Sequence, residues 1–290
     1  MLLDQMSNLK QRLFISFIAS VILFFFIYFA NYSLFKPFFA LGTATLVSFA
    51  LYELYYMAQE KGYNPLIKIG IVFSYIFIFF NFLGINFPFF SNLPLISGWL
   101  FLVSSFTYYF NRGNKPLINI ALTVFGFVYL VVPLSFVLNI VYYFAATDSQ
   151  DGRWWLFYLI LVTKITDIGA YFVGRKWGYT KMTPFISPKK SWEGAVAGLL
   201  SSTLTSLLFV LFLKKMYAIP PISLSYLESI FIGALISLIG QFGDLAESLL
   251  KRDIGIKDSS RLPGFGGILD LVDSLIFTCP FLYFLLKFSF

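Results

Sequence analysis

The chain has 290 residues, of which 59% are hydrophobic, 21% aromatic and only 12% charged, with a net charge of +7 and a mean hydropathy of +0.81. Soluble domains carry about 25% charged residues, so the composition excludes a soluble globular protein and predicts an all-α, polytopic integral membrane protein. There is no histidine to act as base or metal ligand, and the single cysteine, Cys279, excludes intrachain disulfides and cysteine metal clusters.

Apolar runs approaching the roughly 20 residues that cross a bilayer predict about nine transmembrane helices, at roughly 13–30, 34–53, 66–84, 92–110, 117–144, 154–174, 192–213, 224–243 and 267–288. The polar start, residues 1–12, leads into a full-length span without a small-residue cleavage site, so the first helix is expected to be uncleaved. Pro133 is expected to kink the long fifth run. The whole chain, 1–290, reads as a single integral membrane domain. Residues 1–150 form N-terminal scaffold helices that could also offer an oligomer surface, with a homodimer as the assembly considered. Residues 151–290 hold the catalytic helices and polar loops. In the scaffold half, Glu53, Glu60 and Lys68 lie near span ends and read as snorkelling side chains.

Basic residues mark one side of the membrane. Lys10 and Arg12 precede the first span, Arg112 and Lys115 follow the fourth, Arg175, Lys176, Lys181, Lys189 and Lys190 follow the sixth, and Lys251, Arg252, Lys257 and Arg261 follow the eighth. With nine spans these connections all share a side, and Lys214 and Lys215 are the exception. The positive-inside rule places the N-terminus and both long polar loops in the cytoplasm. The net positive charge therefore reports loops, and no nucleic-acid partner is expected.

The second half carries the costly residues. A charge at membrane depth costs about 2.5–3.5 kcal/mol on insertion scales, so charges there are expected to face a partner, a metal or water. In KITDIGAYFVGRKWG, residues 164–178, Lys164 and Asp167 are three apart and share a helix face. They form either an ion pair that fixes packing or an acidic site residue. Gly169, Gly174 and Gly178 would allow close helix approach. In SPKKSWEG, residues 187–194, Pro188 can sit at a helix start with Lys189 and Lys190 following, an arrangement suited to a phosphate. The bland reading of the same lysines is a positive flank.

The eighth span runs into QFGDLAESLLKR, where Asp244, Glu247, Ser248, Lys251 and Arg252 share one helix face, acids first and bases a turn later. A solvated amphipathic extension is the alternative. Then comes RLPGFGGILDLVDS, whose Pro263, Gly264, Gly266 and Gly267 break the helix before Asp270 and Asp273. Two carboxylates three apart on a buried helix repel unless a cation neutralises them. The oxygen ligands available favour a hard divalent ion such as magnesium. Pairing with Arg261 or Lys251, or protonation of one acid, are the alternatives.

The segment SLLKRDIGIKDSSRLPGFGGILDLVDS, with TDIGAYFVGRKWG and SPKKSWEG upstream in matching order, resembles the signature of the phosphatidate cytidylyltransferases, or CDP-diacylglycerol synthases, over roughly residues 150–280. Phe265 stands where the family has histidine, Leu271 where it has arginine, and SSRL is about one residue short. These departures leave a catalytically altered relative as one alternative. The resemblance implies transfer of a cytidylyl group from CTP to phosphatidate, giving CDP-diacylglycerol and pyrophosphate in a bacterial inner membrane. It implies magnesium, with potassium as a second cation in some members. Carried over by motif, the catalytic set is Asp167, Asp244, Asp270, Asp273 and Lys190, with Asp244, Asp270 and Asp273 holding metal. The substrate-binding set is Lys189, Ser191, Glu193, Ser248, Lys251, Arg252, Lys257, Asp258, Gly266 and Gly267. A cation-coupled transporter is the competing reading from another class, but no inverted repeat is evident. The acid-rich motif of the CDP-alcohol transferases is missing.

Overall fold

The computed structural model describes residues 18, 21–111, 113, 115–144, 150–255 and 267–289. Among them, eight helices are long and apolar enough to cross a membrane. They match eight of the nine expected spans. The first expected span, 13–30, lies partly outside the described residues and is helical at 21–29. The protein is an all-α polytopic membrane protein, as a bilayer requires: backbone N–H and C=O groups in hydrocarbon must bond within their own segment. The contacts divide it into two compact units, Met1–Val131 with Asp258–Leu271, and Val132–Lys257 with Val272–Phe290.

In the first unit, helices α1 (Lys36–Glu60), α2 (Ile67–Asn86), α3 (Leu93–Tyr109) and α4 (Pro116–Gly126) surround a core that includes Val47, Leu51, Tyr55, Ile78 and Phe101. Small and polar groups join the helices, as they do where lipid is as apolar as leucine. Ser48 Oγ and Ser74 Oγ lie 2.6 Å apart, and the Tyr55 hydroxyl donates to Thr123 O at 2.5 Å. Phe101 stacks on Phe127 with ring centroids 4.3 Å apart. After α4 the helix widens to a π-helical turn over Phe127–Val131. Pro133 comes next and has no N–H to offer Tyr129 O, so the ladder is interrupted where a kink was expected.

In the second unit, α5 (Val132–Val141) leads to α6 (Gly152–Trp177), α7 (Trp192–Met216), α8 (Tyr226–Ile254) and the body of α9 (Ile268–Ser289). Helix α6 starts at Asp151, whose carboxylate accepts Arg153 N–H at 2.9 Å. Helix α8 starts with a capping box between Ser225 and Glu228, and Gly255 ends it with φ +82°. The buried hydroxyls of Tyr158 and Ser206, 2.6 Å apart, link α6 to α7.

Between α6 and α7 lies an element that the hydrophobic pattern does not predict, an antiparallel hairpin of β1 (Lys181–Thr183) and β2 (Ser187–Ser191). Lys189 and Lys190 therefore stand on a strand, not at a helix N-terminus, which corrects the expected placement. Pro188 biases the residue before it toward extended backbone. The helix begins only at Trp192, where Ser191 can cap it by accepting Gly194 N–H at 3.2 Å. The hairpin is held at both ends. Trp192 N–H donates to Thr180 O at 3.0 Å and Thr180 N–H to Glu193 Oε1 at 2.9 Å, while Arg252 Nε donates to Ile186 O at 2.9 Å.

Candidate active site

Two glycines bring the charged residues of the second unit together. A Cβ on Gly194 would stand 2.8 Å from Ala170 O and 3.1 Å from Gly174 Cα, so α7 can lie against α6 only without one. A Cβ on Gly243 would stand 2.5 Å from Asp273 O. The missing side chain lets α8 approach α9, and the next residue, Asp244, meets Asp273. Of the glycines expected to permit close packing, Gly169 faces Ser201 of α7 and Gly174 faces Gly194, while Gly178 lies against Gly174 O and Ser191.

The result is an acidic cluster with basic partners. Asp244, Glu247 and Asp273 each offer a carboxylate oxygen, all within 4.8 Å of one another. Lys190 Nζ lies 2.6 Å from Asp244 Oδ2, and Lys251 Nζ lies 2.9 Å from Glu247 Oε1. Asp167 pairs with Lys164 at 3.8 Å and is within the field of Asp244 and Lys190. Asp273 lies in the field of Asp244 and Lys164, and its Oδ1 accepts Ser274 N–H at 2.6 Å. Four carboxylates thus face three lysines. Glu247 and Asp273 are almost fully buried.

An all-oxygen donor set of this kind fits a hard divalent cation. Buried carboxylates in mutual contact repel and lose hydration, a cost that a bound cation, or a proton shared between two of them, relieves. The Ser274 hydroxyl next to Asp273 in the chain is also buried, without a hydrogen-bond partner among the described residues. Asp244, Glu247 and Asp273 would be the ligands.

The cluster borders a cavity of about 880 Å³, within the range of small-molecule sites. Asp167 and Asp244 line it. Arg175, Lys181, Lys189 and Lys190 line it as well, with Ser187 and Gln241 among the remaining residues. The Gln241 side chain is fixed by donating to Ala195 O at 3.2 Å and Ser237 Oγ at 3.1 Å. Acids for a cation and bases for phosphates thus share one opening, a combination that suits a polyphosphate.

The structure brings Asp167, Asp244, Asp273, Lys190 and Lys251 together, and Lys189 joins them on the cavity wall. Ser191 and Glu193 serve the local architecture, the first as a helix cap and the second as an acceptor for the hairpin. Arg252 holds the hairpin through Ile186 O. Ser248 lies half-buried on α8, one residue beyond Glu247. Gly267 immediately precedes α9, and its N–H donates to Asp270 Oδ2 at 3.3 Å, within the first unit. Leu271, where the resemblance leads one to expect arginine, is 43% exposed. Lys257, Asp258, Arg261, Phe265 and Gly266 lie outside the described residues. Sequence reasoning missed what two acids do. It placed Glu247 on the charged face of α8 without a metal role. Glu53, read as snorkelling, is instead buried, with both carboxylate oxygens engaged.

Comparison with known proteins agrees with this chemistry. A family model described as the cytidylyltransferase family matches residues 10–289. A protein named phosphatidate cytidylyltransferase from Chlamydia pneumoniae is 35% identical over 262 residues, covering 86% of this chain and 82% of its own. Its namesake from Bacillus subtilis is 31% identical over 293 residues, 97% of this chain and 98% of its own. That from Haemophilus influenzae is 33% identical over 266 residues, with 86% and 90% covered. These matches take in the scaffold half as well as the charged half, so the likeness is not confined to a motif: the chain belongs to the cytidylyltransferase family.

Proposed function

We propose that the protein transfers a cytidylyl group from CTP to phosphatidate, releasing pyrophosphate and forming CDP-diacylglycerol in a bacterial plasma membrane. The observation that carries this reading is the carboxylate cluster of half-buried Asp244 with buried Glu247 and Asp273, beside a cavity lined by Arg175, Lys181, Lys189 and Lys190. The names of the full-length relatives support the same substrates. The cavity is assigned to the cytoplasmic side, where CTP is available, on the strength of the basic loops.

The chemistry asks little of a general base. A phosphate oxygen of phosphatidate, already anionic, attacks the α-phosphorus of CTP. The new P–O bond forms as the bond to the bridging oxygen breaks, and pyrophosphate leaves with that electron pair. A chain without histidine can do this, because the difficulty is bringing two polyanions into line. Lys189 and Lys190 on the fixed hairpin, with Arg175 and Lys181, would hold phosphates of the two reactants. Asp167 and Lys164 would keep Lys190 and Asp244 in place. A magnesium ion on Asp244, Glu247 and Asp273 would neutralise phosphate charge.

The test is pyrophosphate release by the purified protein, with CTP, phosphatidate and magnesium each added or omitted. Release that requires all three is the expected result. Turnover of CTP without phosphatidate, or none with all three present, would refute the proposal.

A further inference from the structure

The turn that joins β1 to β2 is built from residues that do not suit water. A turn in solvent favours glycine, asparagine, aspartate or serine. This one reads Pro184, Phe185 and Ile186, and Phe185 in its middle is 95% exposed. A single exposed apolar residue on a soluble surface needs no explanation. Three in succession at the tip of a hairpin, with Lys181 before them and Lys189 and Lys190 after, do.

Two helices of the same unit give the depth at which this tip stands. On α7, Trp192, Val196, Leu200, Leu204, Leu208 and Phe212 recur at every fourth residue, and each is more than half exposed. At about 1.5 Å per residue the ridge is about 30 Å long, the thickness of a bilayer's hydrocarbon core. Trp192 is its end on the hairpin's side. Its N–H donates to Thr180 O, just after exposed Trp177 and Tyr179. Tryptophan and tyrosine gather at the level of the lipid headgroups. On α8, Phe231, Leu238, Phe242 and Leu249 share one face, again more than half exposed, over about 27 Å. The tip is tied one turn beyond Leu249, where Arg252 Nε donates to Ile186 O at 2.9 Å. A turn is about 5 Å, and the headgroup layer adds about 5–7 Å on each side of the core. By both helices, the hairpin starts at the edge of the hydrocarbon and its tip stays within the headgroup layer.

We propose that this tip is a membrane anchor. Phe185, with Pro184 and Ile186, sits in the headgroup layer of the leaflet on the cavity's side, and the exposed Lys176, Lys181 and Lys189 meet the phosphates of anionic lipids. Apolar insertion flanked by basic residues is how a surface segment holds such a leaflet. The anchor keeps β2, and with it Lys189 and Lys190, at the depth of a lipid phosphate. That last step rests on the function proposed above, and the seating of the tip does not.

The test uses the full chain in vesicles of phosphatidylcholine and phosphatidylglycerol. Phe185→Cys carries a nitroxide label, and Leu200→Cys, in the middle of the α7 ridge, gives the lipid end of the scale. Cys279 is buried, and the unaltered chain treated in parallel supplies its background. Power saturation compares collisions with oxygen, which concentrates in lipid, and with a water-soluble nickel complex. The label at 185 should meet oxygen more often than nickel, by a smaller margin than the label at 200. An excess of nickel collisions, as for a residue in open water, overturns the anchor. So does spin–spin broadening that grows with protein density, which would seat the tip on a second copy of the chain. Phe185→Asp should melt like the unaltered chain and raise KM for phosphatidate in vesicles about five- to tenfold, the effect of losing part of a phenyl group's transfer energy. KM for CTP should stay within about twofold, and Phe185→Trp should leave both constants within about twofold. An unchanged KM for phosphatidate in Phe185→Asp overturns the placing of Lys189 and Lys190 by the anchor. A chain that transfers no cytidylyl group overturns the proposed function, and the label still decides where the tip sits.

Discussion

Lys190 Nζ stands 2.6 Å from Asp244 Oδ2, so the hairpin and helix α8 meet through one ion pair at the edge of the cavity. The two side chains are 26% and 36% exposed. Lys190 Nζ itself is buried, but Asp244 keeps enough access to water to be solvated without its partner, so the pair adds at most about 1 kcal/mol to stability. Its geometry therefore matters more for what enters the cavity than for the fold.

Lys190→Ala should accordingly change kinetics and spare stability. A lost charge-assisted hydrogen bond to phosphate is worth about 1.5–3 kcal/mol, or roughly ten- to a hundredfold in kcat/KM. Initial rates at limiting CTP and limiting phosphatidate, beside a thermal melt, measure both. Unchanged rates at limiting concentrations of both substrates would remove Lys190 from the phosphate site.

The Lys251–Glu247 pair should behave in the opposite way, since its side chains are only 10% and 2% exposed. Lys251→Met leaves a buried carboxylate uncompensated and should cost about 3–5 kcal/mol. Adding Glu247→Gln should restore most of that stability while activity stays low, because Glu247 is then lost as a ligand. A double variant no more stable than Lys251→Met would show that the pair is not the source of the loss.

Asp273→Asn and Asp244→Asn should insert normally and lose magnesium-dependent CTP turnover. Loss of a ligand should exceed the roughly hundredfold cost of disturbing a ligand's support. Pyrophosphate release across a magnesium titration checks each variant. Turnover like that of the unaltered chain would withdraw the altered acid from the metal assignment.

Gly243→Ala tests the close approach of α8 to α9. The added methyl would stand 2.5 Å from Asp273 O, which is backbone and cannot swing away. Overpacking of this kind costs about 1–3 kcal/mol. The thermal midpoint and kcat should both fall, since the same shift separates Asp244 from Asp273. An unaltered midpoint would mean that the helices have room that the structure does not show.

The spans were legible because hydrophobic run length carries them, and eight appear near their expected places, though α8 runs on through its charged face to Ile254, past the expected limit at 243. The Lys164–Asp167 pair was legible because residues three apart on a helix must share a face. The hairpin was not, since strands of three and five residues hold too few positions for a period, and Pro-Lys-Lys before an apolar run also reads as a helix start. The role of Glu53 was out of reach for another reason: its partners are backbone N–H groups 215 and 216 residues away, which leave no trace in residue type. Glu247 was visible on its helix face, but which acids it would join depends on where α9 packs.

The stapled hairpin has a consequence for how tightly a nucleotide can be held. Lysines on a wandering loop must be immobilised when a ligand arrives, at about 0.5–1.5 kcal/mol for each side chain plus the backbone they ride on. Here Glu193, Arg252 and the Thr180–Trp192 bond have already ordered that backbone. The preorganised strand leaves only side-chain rotamers to settle on encounter, so loosening any of these ties should shorten the residence time of the bound nucleotide without removing a single contact to it.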